Sequence, residues 1–123
     1  DKNNIYYNSF IIEEADMNSF EILSSDFSKD KNYFYFDGGK IKNIDVKTVK
    51  IFEKSFDNKY YLKDKNGIYV IIKSEIFPYE YKITKLENVD IKTFEILSEG
   101  NARDKNFMYI FDKKNKTIDI RKN

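Results

Sequence analysis

Asp-Lys-Asn occurs four times in this chain, beginning at Asp1, Asp30, Asp64 and Asp104, and each copy precedes a run of aromatic and β-branched residues. The runs are Ile5-Tyr6-Tyr7, Tyr33-Phe34-Tyr35-Phe36, Ile68-Tyr69-Val70-Ile71 and Phe107-Met108-Tyr109-Ile110-Phe111. A second motif alternates with the first. It reads Asp-x-x-Ser/Thr followed by apolar, any, apolar, apolar, and it starts at Asp16, Asp45 and Asp90. The phase is kept: 15 positions separate Asp1 from Asp16 and Asp30 from Asp45, and 14 separate Asp16 from Asp30 and Asp90 from Asp104. Two motifs in fixed alternation mean a recurring unit of about 30 residues that cannot bury its apolar face alone and must pack on its neighbours. The phase slips twice. Asp45 to Asp64 spans 19 positions, and Asp64 to Asp90 spans 26, which places an insertion near residues 72–85 around the single proline, Pro78.

The pattern predicts strands joined by tight turns. Lys59-Tyr60-Tyr61-Leu62-Lys63 leads into Asp64-Lys65-Asn66-Gly67, and Asn-Gly between two strand-like runs is a strong signal for a type I′ hairpin. Every internal Asp-Lys-Asn is therefore read as a hairpin tip, with Asp supplying turn hydrogen bonds and Asn tolerating the left-handed region. Asp37-Gly38-Gly39 is a further turn signal. At the second motif, Asp16, Asp45 or Asp90 is placed to accept backbone N–H bonds as a cap, giving a short helical turn and then a strand. The expected fold is mainly β: antiparallel hairpin and meander repeats packed into one domain, 1–123, with about 3.5 units at 1–29, 30–63, 64–103 and 104–123. Open sheet, sandwich and propeller-like closure all remain compatible with the periodicity.

Composition removes whole classes of chemistry. Without cysteine or histidine, the chain lacks thiol catalysis, the usual general base and every His-dependent triad. The 22 basic and 21 acidic residues leave a net charge of +1 with no basic stripe, so no nucleic-acid partner is expected. Apolar runs such as Ile68-Tyr69-Val70-Ile71-Ile72 are far too short for a membrane span. Aromatics make up 17% of the chain, which fits strand cores and A/T-rich coding better than a stacking surface.

Asp30-Lys31-Asn32-Tyr33-Phe34-Tyr35 and its siblings, alternating with the Asp-x-x-Ser/Thr element, resemble the DKNYY repeat family. The resemblance runs over nearly the whole chain and is weakest at 72–86 and after Ile118; Val49 and Lys50 stand where Phe and Glu are expected. It implies a bacterial repeat domain of unknown function, sometimes within longer and exported proteins, with no catalytic residues to transfer.

The chemical signals are thin. The Asp-Lys-Asn triplets lack the further oxygen ligands, the glycine and the acidic twelfth residue of a calcium loop, so turn chemistry explains them, and neither a metal nor a cofactor is expected. Glu13-Glu14 are sequence neighbours that a strand sends to opposite faces, whereas paired carboxylates for glycoside cleavage sit about 5–10 Å apart across a cleft. Ser24-Ser25 has no nucleophile elbow, and no glycine-rich phosphate loop occurs. The insertion is where function is best sought, because binding determinants of repeat proteins often sit on such interruptions. Its candidates are Phe77, Tyr79, Glu80 and Tyr81, against the alternative of an extra hairpin covering a sheet edge.

The expected function is thus a non-catalytic protein-interaction or surface module, not an enzyme, with a protein partner or self-association. A small-ligand or glycan-binding domain and an inhibitor or immunity-type protein are the alternatives. The chain starts at Asp1 and stops after Thr117-Ile118-Asp119-Ile120, so it reads as an incomplete, processed or excised array, leaning to export or the cell surface. Its first strand, Ile5–Tyr7, needs a substitute partner.

Overall fold

The computed structural model describes residues 5–7, 10–12, 15–52, 56, 58–74 and 80–123. It divides into two compact units, residues 1–49 and 50–123. In the first, β1 (Ile5–Tyr7) pairs antiparallel with β2 (Phe10–Ile12). A four-stranded antiparallel sheet follows, in the order β3 (Glu21–Ile22), β4 (Phe27–Lys29), β5 (Phe34–Phe36), β6 (Gly39–Ile41). The second unit carries two sheets of the same kind. One runs β7 (Lys50–Ile51), β8 (Lys59–Asp64), β9 (Gly67–Lys73), β10 (Tyr81–Lys85). The other runs β11 (Glu95–Ile96), β12 (Ala102–Arg103), β13 (Phe107–Asp112), β14 (Thr117–Lys122), with a 3-10 turn at Ser98–Gly100 between its first two strands.

The mainly β, antiparallel meander expected from the motifs is what the chain forms. In all three complete sheets, sequence order equals spatial order, as short connections between neighbours dictate. The internal Asp-Lys-Asn copies lie between second and third strands, at the tips joining β4 to β5, β8 to β9 and β12 to β13. The Asp-x-x-Ser/Thr elements precede β3, β7 and β11. Each is a single turn in which Ser19, Thr48 or Thr93 N–H donates 3.3 Å to the carbonyl of Asp16, Asp45 or Asp90. The expected turn-then-strand is correct, but no helix develops beyond that one turn.

The turn type at Asn66-Gly67 differs from expectation. Asp64 pairs with Gly67, so the loop residues are Lys65 and Asn66, and neither has positive φ. The Asp64 carboxylate closes this turn by accepting the Asn66 and Gly67 N–H groups at 2.8 and 3.2 Å, an Asx-type closure that removes the need for a left-handed pair. The type I′ geometry appears instead between β5 and β6, where Asp37 and Gly38 have φ of 50° and 80°.

The insertion near 72–85 lengthens the β9–β10 hairpin. Ser74 and Glu80 clamp its neck: Ser74 N–H donates to the Glu80 carbonyl at 2.7 Å, and Glu80 N–H to Ser74 Oγ at 2.9 Å. β10 is the mostly exposed edge strand of its sheet.

The core of the first unit is aromatic. Phe27 stacks on Phe34 with ring centroids 5.4 Å apart and lies 5.0 Å from Phe36, and all three residues of β5 are buried. Each such ring contributes about 1.5–3 kcal/mol on burial, which suits strands too short to bury much else. In the second unit, Tyr61, Ile68, Val70, Ile72, Leu86, Phe94, Ala102 and Tyr109 form one cluster drawn from both of its sheets.

Candidate functional site

Asp30, Asp64 and Asp104 are buried, and the surroundings of Asp30 and Asp104 explain the 14-residue spacing between the two motifs. Asp30 Oδ1 accepts the N–H groups of Asn32 (2.8 Å) and Tyr33 (2.7 Å), which closes the hairpin tip. Its Oδ2 accepts the N–H of Asp16, 14 positions earlier, at 2.9 Å and the hydroxyl of Tyr35 at 2.7 Å. Asp104 repeats this bond for bond: Asn106 (2.8 Å) and Phe107 (2.7 Å) on Oδ1, Asp90 N–H (2.8 Å) and Tyr109 hydroxyl (2.7 Å) on Oδ2. A second link runs between the motifs. Lys31 N–H donates to Ser19 Oγ, and Lys105 N–H to Thr93 Oγ1, both at 2.9 Å. Ser19 and Thr93 in turn donate to the carboxylates of Asp16 and Asp90.

One buried carboxylate thus ties together a hairpin tip, the turn that opens the same sheet and a tyrosine five residues on. Burial pushes the Asp30 and Asp104 carboxyls up, but the four hydrogen bonds on each outweigh it and hold both below the usual 3.8. The Tyr109 phenol is pushed up, first by burial and then by its bond to Asp104. These carboxylates stay ionised and fully engaged within the protein, so their oxygens serve as architecture.

A buried lysine is the feature that sequence reasoning missed. Lys59 Nζ lies 3.5 Å from the centroid of the Phe111 ring and 4.7 Å from that of Phe56, a cation–π setting. Gly100 makes room for its stem: a Cβ there would stand 2.2 Å from Lys59 Cε, and the backbone φ of +78° favours glycine. Tyr61, two residues along β8, donates its hydroxyl to the Gly100 carbonyl at 2.6 Å, and burial pushes its phenol up. The alternation of Lys59, Tyr61 and Lys63 on one strand face was the available signal, since it sets a lysine beside a core tyrosine.

Of the insertion candidates, Glu80 and Tyr81 are placed and exposed, whereas Phe77 and Tyr79 lie outside the described residues, as do Glu13 and Glu14. Glu80 and Tyr81 border a pocket of about 390 Å³ at the hairpin neck, together with Ile72, Lys73, Lys82 and Lys116. A second depression, of about 410 Å³, includes Glu95 and Asp104, but Glu95 is paired with Arg103 and Asp104 is committed as above. Ser24 and Ser25 line a cavity of about 230 Å³ in the first unit beside Tyr6, Ile12, Phe20 and Ile22. Among the described residues the large exposed aromatic side chains are Tyr6 and Tyr81. Among those residues no helix is long and apolar enough to cross a membrane.

The model of the DKNYY family matches residues 1–73, more than half of the chain. The chain belongs to the DKNYY family. Beyond residue 73 the signature continues in physical form, because the Asp104 cluster reproduces that of Asp30. The letters of the signature acquire roles: Asp is the buried acceptor, and the aromatic five positions after it is its hydroxyl donor. Comparison with curated proteins and with solved structures finds no significant match.

Proposed function

We propose that this DKNYY chain is a non-catalytic interaction module that holds an acidic segment of a partner protein at the neck of the β9–β10 hairpin. The pocket of about 390 Å³ is the observation that supports the reading. Its lining sets three lysines, Lys73, Lys82 and Lys116, against one carboxylate, Glu80, around the half-exposed ring of Tyr81 and the side chain of Ile72. Tyr81 pairs with Lys73 across the hairpin, and Lys82 pairs with Ile72, so the sheet fixes these positions without ligand. A rigid strand pair carrying an aromatic anchor within a cationic rim suits an extended acidic peptide. The non-catalytic part of the reading is supported by the commitment of the motif carboxylates to internal hydrogen bonds.

A panel of fluorescent ten-residue peptides, acidic, neutral and basic, titrated against the whole chain tests this. Saturable binding of the acidic members is expected, weakening at least tenfold between 50 and 300 mM salt and again in Tyr81→Ser and Lys73→Glu/Lys82→Glu variants. Equal binding of all peptides, or binding untouched by those substitutions, removes the proposal. Retention on a glycan array with no peptide binding moves the function to carbohydrate recognition.

A further inference from the structure

Asn66-Gly67 is the one Asn-Gly pair in the sequence. An asparagine followed by glycine is chemically vulnerable, because the next backbone nitrogen can reach the side-chain carbonyl carbon and glycine carries no side chain to obstruct it. Here the two reacting partners are separated by burial. Asn66 is exposed at the tip joining β8 to β9, and among the described residues its side-chain amide makes no hydrogen bond. Gly67 is buried, with Lys85 Cε 2.9 Å from where a Cβ would stand.

A buried carboxylate holds the attacking nitrogen in place. Asp64, 5% exposed, accepts the Gly67 N–H on Oδ1, and Asp64 and Gly67 form the last of six register pairs between β8 and β9. To attack, the nitrogen must shed its proton and swing toward Asn66 Cγ. The ladder opposes the movement, and a negative charge beside the nitrogen opposes loss of the proton. The sister tips carry the same closure with a second safeguard. At Asp30 and Asp104 the residue after Asn is Tyr33 or Phe107, and its N–H lies 2.7 Å from Oδ1. At Asp64 the corresponding bond is 3.2 Å, and no side chain shields the nitrogen. Of the three tips, this one is closed most weakly.

We propose that Asn66 is a conformationally gated modification site, at which opening of the β8–β9 tip converts the asparagine into aspartate and isoaspartate. On opening, Gly67 N leaves Asp64 and attacks Asn66 Cγ. An N–C bond forms and the Cγ–Nδ2 bond breaks. Nδ2 departs as ammonia with the proton given up by Gly67 N, leaving a five-membered succinimide. Water then adds to one ring carbonyl: addition at the side-chain carbonyl gives aspartate, and addition at the backbone carbonyl gives isoaspartate, with one extra methylene in the main chain. The loop has only two residues, Lys65 and Asn66, so that methylene shifts the register of β8 on β9 and with it Tyr61, Ile68, Val70 and Ile72 of the core. The site does not depend on the acidic-peptide reading.

The test incubates the whole chain at mildly alkaline pH, folded and in guanidinium chloride, and reads conversion at residue 66 by peptide-resolved mass spectrometry with an isoaspartate assay. Conversion at least tenfold slower in the folded chain is expected, with Asn32 and Asn106 unchanged over the same period. Asp64→Ala is expected to raise the folded rate at least tenfold, and Asp104→Ala, which removes the matching carboxylate from the other sheet of the same unit, far less. Equal rates in folded and unfolded chain overturn the proposal, as does an Asp64→Ala chain that converts no faster than its parent. So does equal acceleration by Asp104→Ala, since global unfolding then sets the rate. If Asp64→Ala does not fold, the parent is followed through rising guanidinium chloride: conversion that increases before global unfolding supports opening of the tip, and conversion that increases only with it overturns the gate.

Discussion

The sheets around Asp30 and Asp104 use the same four hydrogen bonds but surround them differently. In the first unit, β4, β5 and β6 are three residues each, and the interior is filled by Phe27, Phe34, Tyr35 and Phe36. In the second, β8, β9, β13 and β14 run to six or seven residues, the core mixes aliphatic with aromatic side chains, and a lysine is admitted beside Phe111. The unit with short strands has few ladder bonds and few buried positions, so its stability concentrates in rings and in the carboxylate cluster. The difference shows that the signature specifies a joint, while the quantity of sheet built on that joint is free to vary.

The strongest way to break this comparison is to remove the two joints separately. Asp30→Ala and Asp104→Ala each strand three part-buried N–H donors and a buried tyrosine hydroxyl, and each is expected to cost about 3–5 kcal/mol in urea unfolding followed by hydrogen exchange near the substitution. Exchange around Asp30 should rise more, since less sheet supports it. Equal responses would mean that strand length contributes nothing to the joint's surroundings.

Gly100→Ala probes a feature that belongs to the second unit. The added Cβ meets Lys59 Cε at 2.2 Å, and the φ of +78° disfavours any side chain, so a loss of about 2–3 kcal/mol is expected. Adding Lys59→Ala should restore part of it by removing the clash, leaving the backbone cost of about 1 kcal/mol. A double variant no more stable than Gly100→Ala alone would show that the close contact is not the cause.

Tyr35→Phe and Tyr109→Phe remove one hydroxyl from each carboxylate and keep the ring. Each is expected to cost about 1–2 kcal/mol by thermal or urea unfolding, with the two values close together because the bonds are the same length.

Acid gives a smaller and more gradual effect. Both carboxyls sit below their ordinary 3.8 in the folded chain. Between the folded and unfolded values the unfolded chain holds more protons, so their stabilisation is complete above about pH 4 and is lost as pH falls through the folded values. The urea midpoint should hold steady from about pH 7 to 5 and drop below about pH 4. In Asp30→Asn and Asp104→Asn, both less stable at neutral pH, the drop should be shallower.

Much of this was legible in the sequence. The alternating motifs gave strand type, tip positions and the turn-then-strand order, because turn residues and alternating apolar runs act over a few residues. The pairing of Ile5–Tyr7 with Phe10–Ile12 was not read. Turn type at Asn66-Gly67 was misjudged because a side-chain carboxylate competes with backbone conformation for the same N–H groups. Glu80 and Tyr81 were named from the sequence and border the pocket at the hairpin neck, whereas Lys73, Lys82 and Lys116, which line it with them, were not named.

What the sequence alone determined about this protein is local: where chains turn, which residues alternate, and that a unit recurs at a spacing of 14 and 15. Only the tertiary structure decided why 14 is the number. Asp30 must reach back to the N–H of Asp16, and Asp104 to that of Asp90, while a tyrosine hydroxyl closes on the same oxygen. A buried carboxylate needs several donors at once, and those donors are brought together by the sheet and not by neighbourhood in the chain. The same reason hid Lys59: its rings come from Phe56 and Phe111 and its space from Gly100, positions that the chain separates and the fold joins.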